Sequence, residues 1–140
     1  MKYGIRAIIY LALNTNHKIQ RIGIEKISDD LKIPSPFLGK ILQILAKNKI
    51  LLSAKEPNGG FSLARPADEI KLIDVIDIID GCYIFDIFII RIQNCFENKM
   101  YCPLNEKYSI IRKQIKTLFH ELSFEELAKD LNKNHNTVTI

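Results

Sequence analysis

Apolar positions recur at spacings of three and four over Tyr3–Asn14, where Ile5, Ile8, Ile9, Ala12 and Leu13 share one broad face, so the chain opens with a predicted helix. Asn14, Thr15 and Asn16 stop it. A second, shorter pattern covers Ile22–Leu31, with Ile24, Ile27 and Leu31 inward, Glu25, Lys26, Asp29 and Asp30 outward, and Lys32-Ile33-Pro34 closing it. At about residue 36 a third helix is expected: the Ser35 hydroxyl can cap it, and Pro36 fits its first turn, where no amide hydrogen is needed. Phe37, Leu38, Ile41, Leu42 and Leu45 are predicted to bury one side, leaving Lys40, Gln43, Lys47 and Asn48 for solvent or a ligand. Two helices joined by about four residues, the second with polar groups near its start, make a helix-turn-helix.

The period then changes from helical to extended. Ile50–Lys55 and Phe61–Ala64 read as two short strands, and Glu56-Pro57-Asn58-Gly59-Gly60 between them supplies residues that accept the positive backbone angles of a tight hairpin, a wing. Ile70–Asp80 carries Leu72, Val75, Ile76 and Ile79 on one face as a fourth helix, which Gly81 ends. Residues 82–102 are the least regular stretch, without a Gly/Ser-rich linker to mark an independent domain. From Pro103 to Leu122, Leu104, Tyr108, Ile111, Ile115, Leu118 and Leu122 keep helical spacing, which predicts a long helix of about five turns. A helix this apolar on one side needs a partner, and a second copy of the chain is the expected one, because the two-fold dimer is the commonest closed assembly. Ser123-Phe124-Glu125-Glu126 has capping-box spacing and opens a short helix to about Leu131, ahead of a polar tail, Asn132–Ile140, expected to fray. The fold class is therefore mainly α with a small β-hairpin wing: a winged helix-turn-helix over 1–80, a loop over 81–102, and a dimerisation helix with its tail over 103–140.

Composition narrows the function. A length of 140 residues suits one domain with its own core, and 47% apolar and 26% charged residues are ordinary for a globular protein. The apolar stretches Ile5–Leu13 and Tyr83–Ile92 are too short and too interrupted to cross a bilayer, and no secretory signal precedes them, so the expected place is the cytoplasm. Charge is unevenly spread: residues 1–66 hold 11 Lys and Arg against 4 Asp and Glu, net +7, and the rest hold 9 against 12, net −3. A basic half beside a mildly acidic one fits a DNA-reading module joined to a sensing or dimerising one; uneven solvated charge with no partner is the alternative. No phosphate-cradling glycine loop, nucleophile elbow or paired metal-binding histidine points to an enzyme, and His17, His120 and His135 are scattered. Cys82, Cys95 and Cys102 are an odd set in the second half, which suits free thiols or metal ligands better than a disulfide framework.

Lys2-Tyr3-Gly4-Ile5-Arg6-Ala7 through Tyr10-Leu11-Ala12, then Ile33-Pro34, Phe37-Leu38, Lys40-Ile41-Leu42, Gly59-Gly60-Phe61-Ser62-Leu63-Ala64, Glu69-Ile70 and Cys102-Pro103-Leu104 stand in one order over almost the whole chain. In that order the sequence resembles the Rrf-type family of bacterial winged-helix regulators, which includes an iron–sulfur cluster regulator, a nitric-oxide sensor and a regulator of cysteine metabolism. The resemblance implies a sequence-specific DNA-binding transcriptional regulator, a homodimer that acts as a repressor on a palindromic operator in double-stranded DNA. The competing reading is a winged-helix module for protein contacts or redox sensing that has lost specific DNA binding. Family members carry a few more residues ahead of the first helix, so contacts made by that end are expected to be weaker here.

A recognition helix offers its N-terminal side chains to base edges. Here those are Ser35, which binds a base or phosphate or simply caps the helix; Phe37, which meets a thymine methyl or belongs to the core; and Lys40, which reaches guanine or phosphate. Gly39 between them would leave room for close approach. On the wing, the resemblance implies that Lys55 and Asn58 reach the minor groove or backbone. Lys55 stands where the family often has Arg, which enters a narrow minor groove better. Gly59 and Gly60 join this surface, first of all as turn formers.

Cluster-binding members of the family use three cysteines about five to seven residues apart with a fourth ligand, often His, just after the third. Cys95 and Cys102 match the second and third, Phe88 stands at the first, Asn105 stands for the His, and Cys82 lies too early. An iron–sulfur cluster, a thiol redox switch of Cys95 and Cys102, and inert cysteines therefore all remain open, and no cofactor or metal site is assigned. The apolar run Tyr83–Ile90 is expected to be core or dimer surface, or else a seat for a small apolar effector.

Overall fold

Ala7, Ile8 and Leu11 have no exposed surface, which places the first helix, α1 (Lys2–Asn14), at the centre of the fold. The structure, a computed structural model, describes residues 1–14, 21–55, 59–81 and 103–133. Around α1 stand α2 (Ile24–Leu31), α3 (Ser35–Lys47), a hairpin of β1 (Leu51–Ala54) and β2 (Gly60–Leu63), α4 (Leu72–Ile79), α5 (Pro103–Glu121) and α6 (Phe124–Lys133). One apolar core joins them, from Ile27 and Leu31 of α2 through Leu38, Leu42 and Leu45 of α3 to Val75 and Ile76 of α4.

The helix-turn-helix forms by local bonding. α2 begins two residues later than its apolar pattern predicts, because Ile22 exchanges backbone bonds with Phe61, 2.9 Å each way, and so adds an antiparallel bridge to the hairpin. The buried Ser28 hydroxyl donates to the Ile33 carbonyl at 2.6 Å, while Ile33 N–H donates back to Ser28 O at 3.0 Å. Lys32, between them, takes a left-handed conformation with φ 52°, so three residues rather than four turn the chain. From α1, Tyr10 donates its hydroxyl to the Asp30 carboxylate of α2. Burial, with the Asp30 carboxylate beside it, pushes the Tyr10 hydroxyl up to about 12.

The expected cap of α3 is corrected. Pro34, with φ −55° and ψ 127°, is the residue ahead of the helix, Ser35 is already its first helical residue, and no side-chain cap bond is made. Two prolines bracketing Ser35 explain this: Pro34 has its backbone angle fixed near the required value by its ring, so the helix starts without a hydroxyl.

The hairpin pairs Leu51 with Leu63, Leu52 with Ser62, Ser53 with Phe61 and Ala54 with Gly60. Residues 70 and 71, expected in α4, are extended instead, since Leu72 N–H bonds Leu122 O and Phe124 N–H bonds Ile70 O, both at 3.0 Å. Gly81, at φ 77°, follows the end of α4 as expected. After α5 the capping box is present: Ser123 N–H donates to Glu126 Oε2 at 2.8 Å and Glu126 N–H to Ser123 Oγ at 3.3 Å. Those bonds from Ser123 hold the Glu126 carboxyl below its usual range. Phe124, with no exposed surface, and Ala128 then pack α6 onto α1.

Along α5, Ile110, Ile111, Ile115 and Leu118 are 58%, 51%, 38% and 52% exposed. Tyr108, Phe119 and Leu122 turn inward and are half-buried. Of the stripe read from the sequence, then, Ile111, Ile115 and Leu118 are uncovered in the single chain. No helix among the described residues is long and apolar enough to cross a membrane.

Candidate nucleic-acid interface

α3 is two-sided because its buried residues, Leu38, Ile41, Leu42 and Leu45, keep one helical stripe, which leaves its opposite face outside the core. Phe37, Lys40, Gln43, Ile44, Lys47 and Asn48 are exposed. No acidic residue lies in its first turn, so no carboxylate there offsets the partial positive charge of a helix N-terminus. Ser35 is half-buried at that end. The first two turns therefore present Phe37 and Lys40, three residues apart on one face.

Phe37 is 48% exposed, so its expected place in the core is corrected. Its ring meets Tyr3 of α1 edge-to-face, with centroids 5.3 Å apart and planes at 85°. Lys2 Nζ and Arg6 Cζ lie 5.8 and 5.9 Å from the centre of the same Tyr3 ring. Arg6 also donates from Nη2 to Leu31 O at 2.8 Å, at the end of α2. A group of two cations and two aromatic rings thus surrounds the start of α3. The sequence offers Lys2, Tyr3 and Arg6 as part of the first motif of the resemblance and not as site residues; the signal for their grouping is two basic residues flanking an aromatic at the start of α1.

The open space at Gly39 also has a different occupant from the one expected. A Cβ there would stand 3.1 Å from Ile24 Cδ1, so the missing side chain admits α2. In the hairpin Lys55 is exposed just after β1, and Gly59 is half-buried. Gly60 is buried at φ 143°, and a Cβ on it would lie 2.5 Å from Ile22 O. Its need for glycine is therefore the close crossing of residue 22. Asn58 lies outside the described residues, as do His17, His135, Phe88, Cys82, Cys95 and Cys102 and the segments they belong to.

Comparison with known proteins agrees with this geometry. The family model named Rrf2, described as an iron-dependent transcriptional regulator, matches residues 1–130. An HTH-type transcriptional regulator of Aquifex aeolicus is 31% identical over 128 residues, covering 91% of this chain and 87% of the relative. The HTH-type transcriptional regulator NsrR of Oceanobacillus iheyensis is 24% identical over 94% of this chain and 86% of its own length. Among solved structures, CymR of B. subtilis, the global cysteine regulator, superposes with a TM-score of 0.77 at 20% identity, covering 91% of this chain and 92% of that one. IscR of T. potens gives 0.75 at 19%, covering 96% and 86%. These two structures share the winged helix-turn-helix fold described above. The exposed face of α3, the wing and a match over residues 1–130 lead to one conclusion: the chain belongs to the Rrf2 family and is a DNA-binding transcriptional regulator, not an enzyme.

Proposed function

We propose that the protein works as a homodimer that seats two copies of α3 in successive major grooves of a palindromic operator and represses transcription in the cytoplasm. Residues 1–80 read the duplex and 103–140 pair the protomers. The observation that carries this reading is the two-sidedness of α3: Leu38, Leu42 and Leu45 have no exposed surface, while Phe37 and Lys40 are exposed on the outer face of its first turns. Lys40 suits a guanine edge or a phosphate, Phe37 a thymine methyl, and Ser35 a nearby phosphate oxygen. Lys55, with Asn58, Gly59 and Gly60, brings the wing against the flanking backbone or minor groove.

Pairing is supported by α5. Ile110, Ile111, Ile115 and Leu118 are each roughly half exposed. Covering the remainder of such a side chain contributes about 1 kcal/mol, and a two-fold pair covers each of them twice. Half-sites would then lie about 34 Å apart, one turn of duplex. Repression follows from occupancy: a dimer seated on an operator blocks other proteins with no additional surface.

The family's iron dependence raises the question of a cluster. Among the described residues no group of three or more His, Cys, Asp or Glu is placed to hold a metal. The donor set itself is short, with Cys95 and Cys102 at matched positions, Asn105 in place of the usual His, and Cys82 early. A cluster needs four ligand positions. Three cysteines are one short of that set, so a cluster would need Cys82 brought to the other two and a fourth donor, which a partner protomer could supply.

The test is selection of duplexes from a random pool by the purified chain, followed by titration of the selected site at rising salt. A palindrome bound with a steep logarithmic loss of affinity supports the reading. A chain indifferent to every duplex at low ionic strength overturns it in favour of a protein-contact module.

A further inference from the structure

We propose that Tyr3 is a positioning residue for sequence reading: it sets the orientation of the Phe37 ring, and thereby the preference for thymine at the base that this ring meets. The inference rests on α3 being the base-reading helix.

Phe37 and Ile44 are the exposed large apolar residues of α3, at 48% and 43%, while Leu38, Leu42 and Leu45 have no exposed surface; Phe37 is the one of the two in its first turn. An exposed phenylalanine with no neighbour rotates among its rotamers and pays that freedom back on binding. Here the ring has an aromatic neighbour, Tyr3, at 5.3 Å and 85°, which is the geometry aromatic pairs prefer. Tyr3 is itself fixed. It sits on the first turn of α1, and Lys2 and Arg6 approach its ring at 5.8 and 5.9 Å. Arg6 in turn is tied to Leu31 O at 2.8 Å, where α2 ends. The first turn of α1 therefore holds both the helix before the turn and the first reading side chain after it.

A methyl contact is a discriminating contact only if the apolar group is already in place. A ring free to swing meets a thymine methyl or another base edge with little difference, whereas a ring held on edge by Tyr3 offers one fixed apolar surface. Tyr3 needs no contact with DNA for this role.

The experiment replaces each thymine of the selected operator by deoxyuridine, which removes only the methyl, and measures affinity for four proteins. For wild type, one position per half-site is expected to cost about fourfold, the equivalent of one buried methyl, and roughly fifteenfold when both half-sites are changed. Phe37→Ala should show no difference between the two bases there. Retention of the full difference by Phe37→Ala would remove Phe37 from the methyl and overturn that part of the proposed function itself. Tyr3→Leu should keep operator affinity within a few-fold but lose most of the thymine-over-uracil ratio, and Tyr3→Phe should restore it. A full ratio in Tyr3→Leu, with Phe37→Ala behaving as expected, overturns the role of Tyr3 and leaves the reading helix standing. As a readout independent of any variant, proton contacts between the two rings should persist by nuclear magnetic resonance when wild type binds the operator; their loss on binding would equally refute the proposal.

Discussion

The Cα of Gly60 passes so close to the backbone of Ile22 that a side-chain carbon on it would stand 2.5 Å from the Ile22 oxygen and 2.7 Å from its carbonyl carbon. Both neighbours are main chain and cannot rotate away, and φ at Gly60 is 143°, a value that favours glycine. Gly60→Ala is therefore expected to destabilise the protein by about 2–4 kcal/mol, by strain and by loss of the Ile22–Phe61 bridge. Thermal unfolding checks this, and a melting temperature equal to wild type would show that the hairpin does not need residue 22.

Lys40 and Lys55 differ in what their removal should do. Lys40→Ala is expected to weaken operator binding by about 1–3 kcal/mol per half-site and to relax base preference at one position. Lys55→Ala should weaken binding evenly across sequences and lower the salt slope by about 0.9 per protomer. Titrations at several salt concentrations separate the two, and both variants should remain dimers by sedimentation. Unchanged affinity in both would move the reading surface elsewhere.

Ile111 and Leu118 lie on the uncovered face of α5, about half exposed in the single chain. A charge placed there costs little in a monomer but a great deal in a pair of helices packed face to face. Ile111→Glu or Leu118→Glu should leave helical content intact and shift the protein from dimer to monomer, with a parallel loss of operator affinity. Sedimentation equilibrium at micromolar concentration is the measurement; a dimer in both variants would place the interface elsewhere.

Glu126 should contribute to an acid-dependent loss of stability. Its carboxyl is held below the ordinary value of 4.5 by its bonds to Ser123, so its contribution is fully present above 4.5 and is lost as pH falls below that toward its folded value. Glu126→Gln should therefore melt at a lower temperature than wild type at pH 7, and the gap should narrow at pH 3. A gap independent of pH would mean that the carboxylate charge is not what caps α6.

What the sequence reveals and conceals follows from how local each interaction is. The capping box at Ser123 and Glu126 spans three residues, so it can be read directly, and α5 ends within one residue of its apolar pattern because helical periodicity is a short-range property. Ser35 was less readable: a serine next to a proline looks like a cap, but Pro34 supplies the entry angle and the hydroxyl is not used. Phe37 carries the mark of a core residue by type, yet its neighbour Tyr3 comes from a different helix, and no local pattern reveals that the two rings meet at the surface. Gly60 could be placed in a turn from its neighbours, whereas its crossing of Ile22 is a long-range contact. Ser35 and Lys40 are expected at the duplex from their place at the start of the second helix of a helix-turn-helix, and Lys55 from the resemblance, so each is a matter of position and chemistry rather than of contacts.

Phe124 sits wholly enclosed in the same core as α1, so the helix-turn-helix takes part of its foundation from a residue more than seventy positions further along the chain. Anyone transplanting residues 1–81 onto a foreign sensor would carry away the walls of a socket without its wedge, an omission comparable to deleting a buried phenylalanine, on the order of 3–5 kcal/mol. A chimaera that works will have to bring its own plug for that hole.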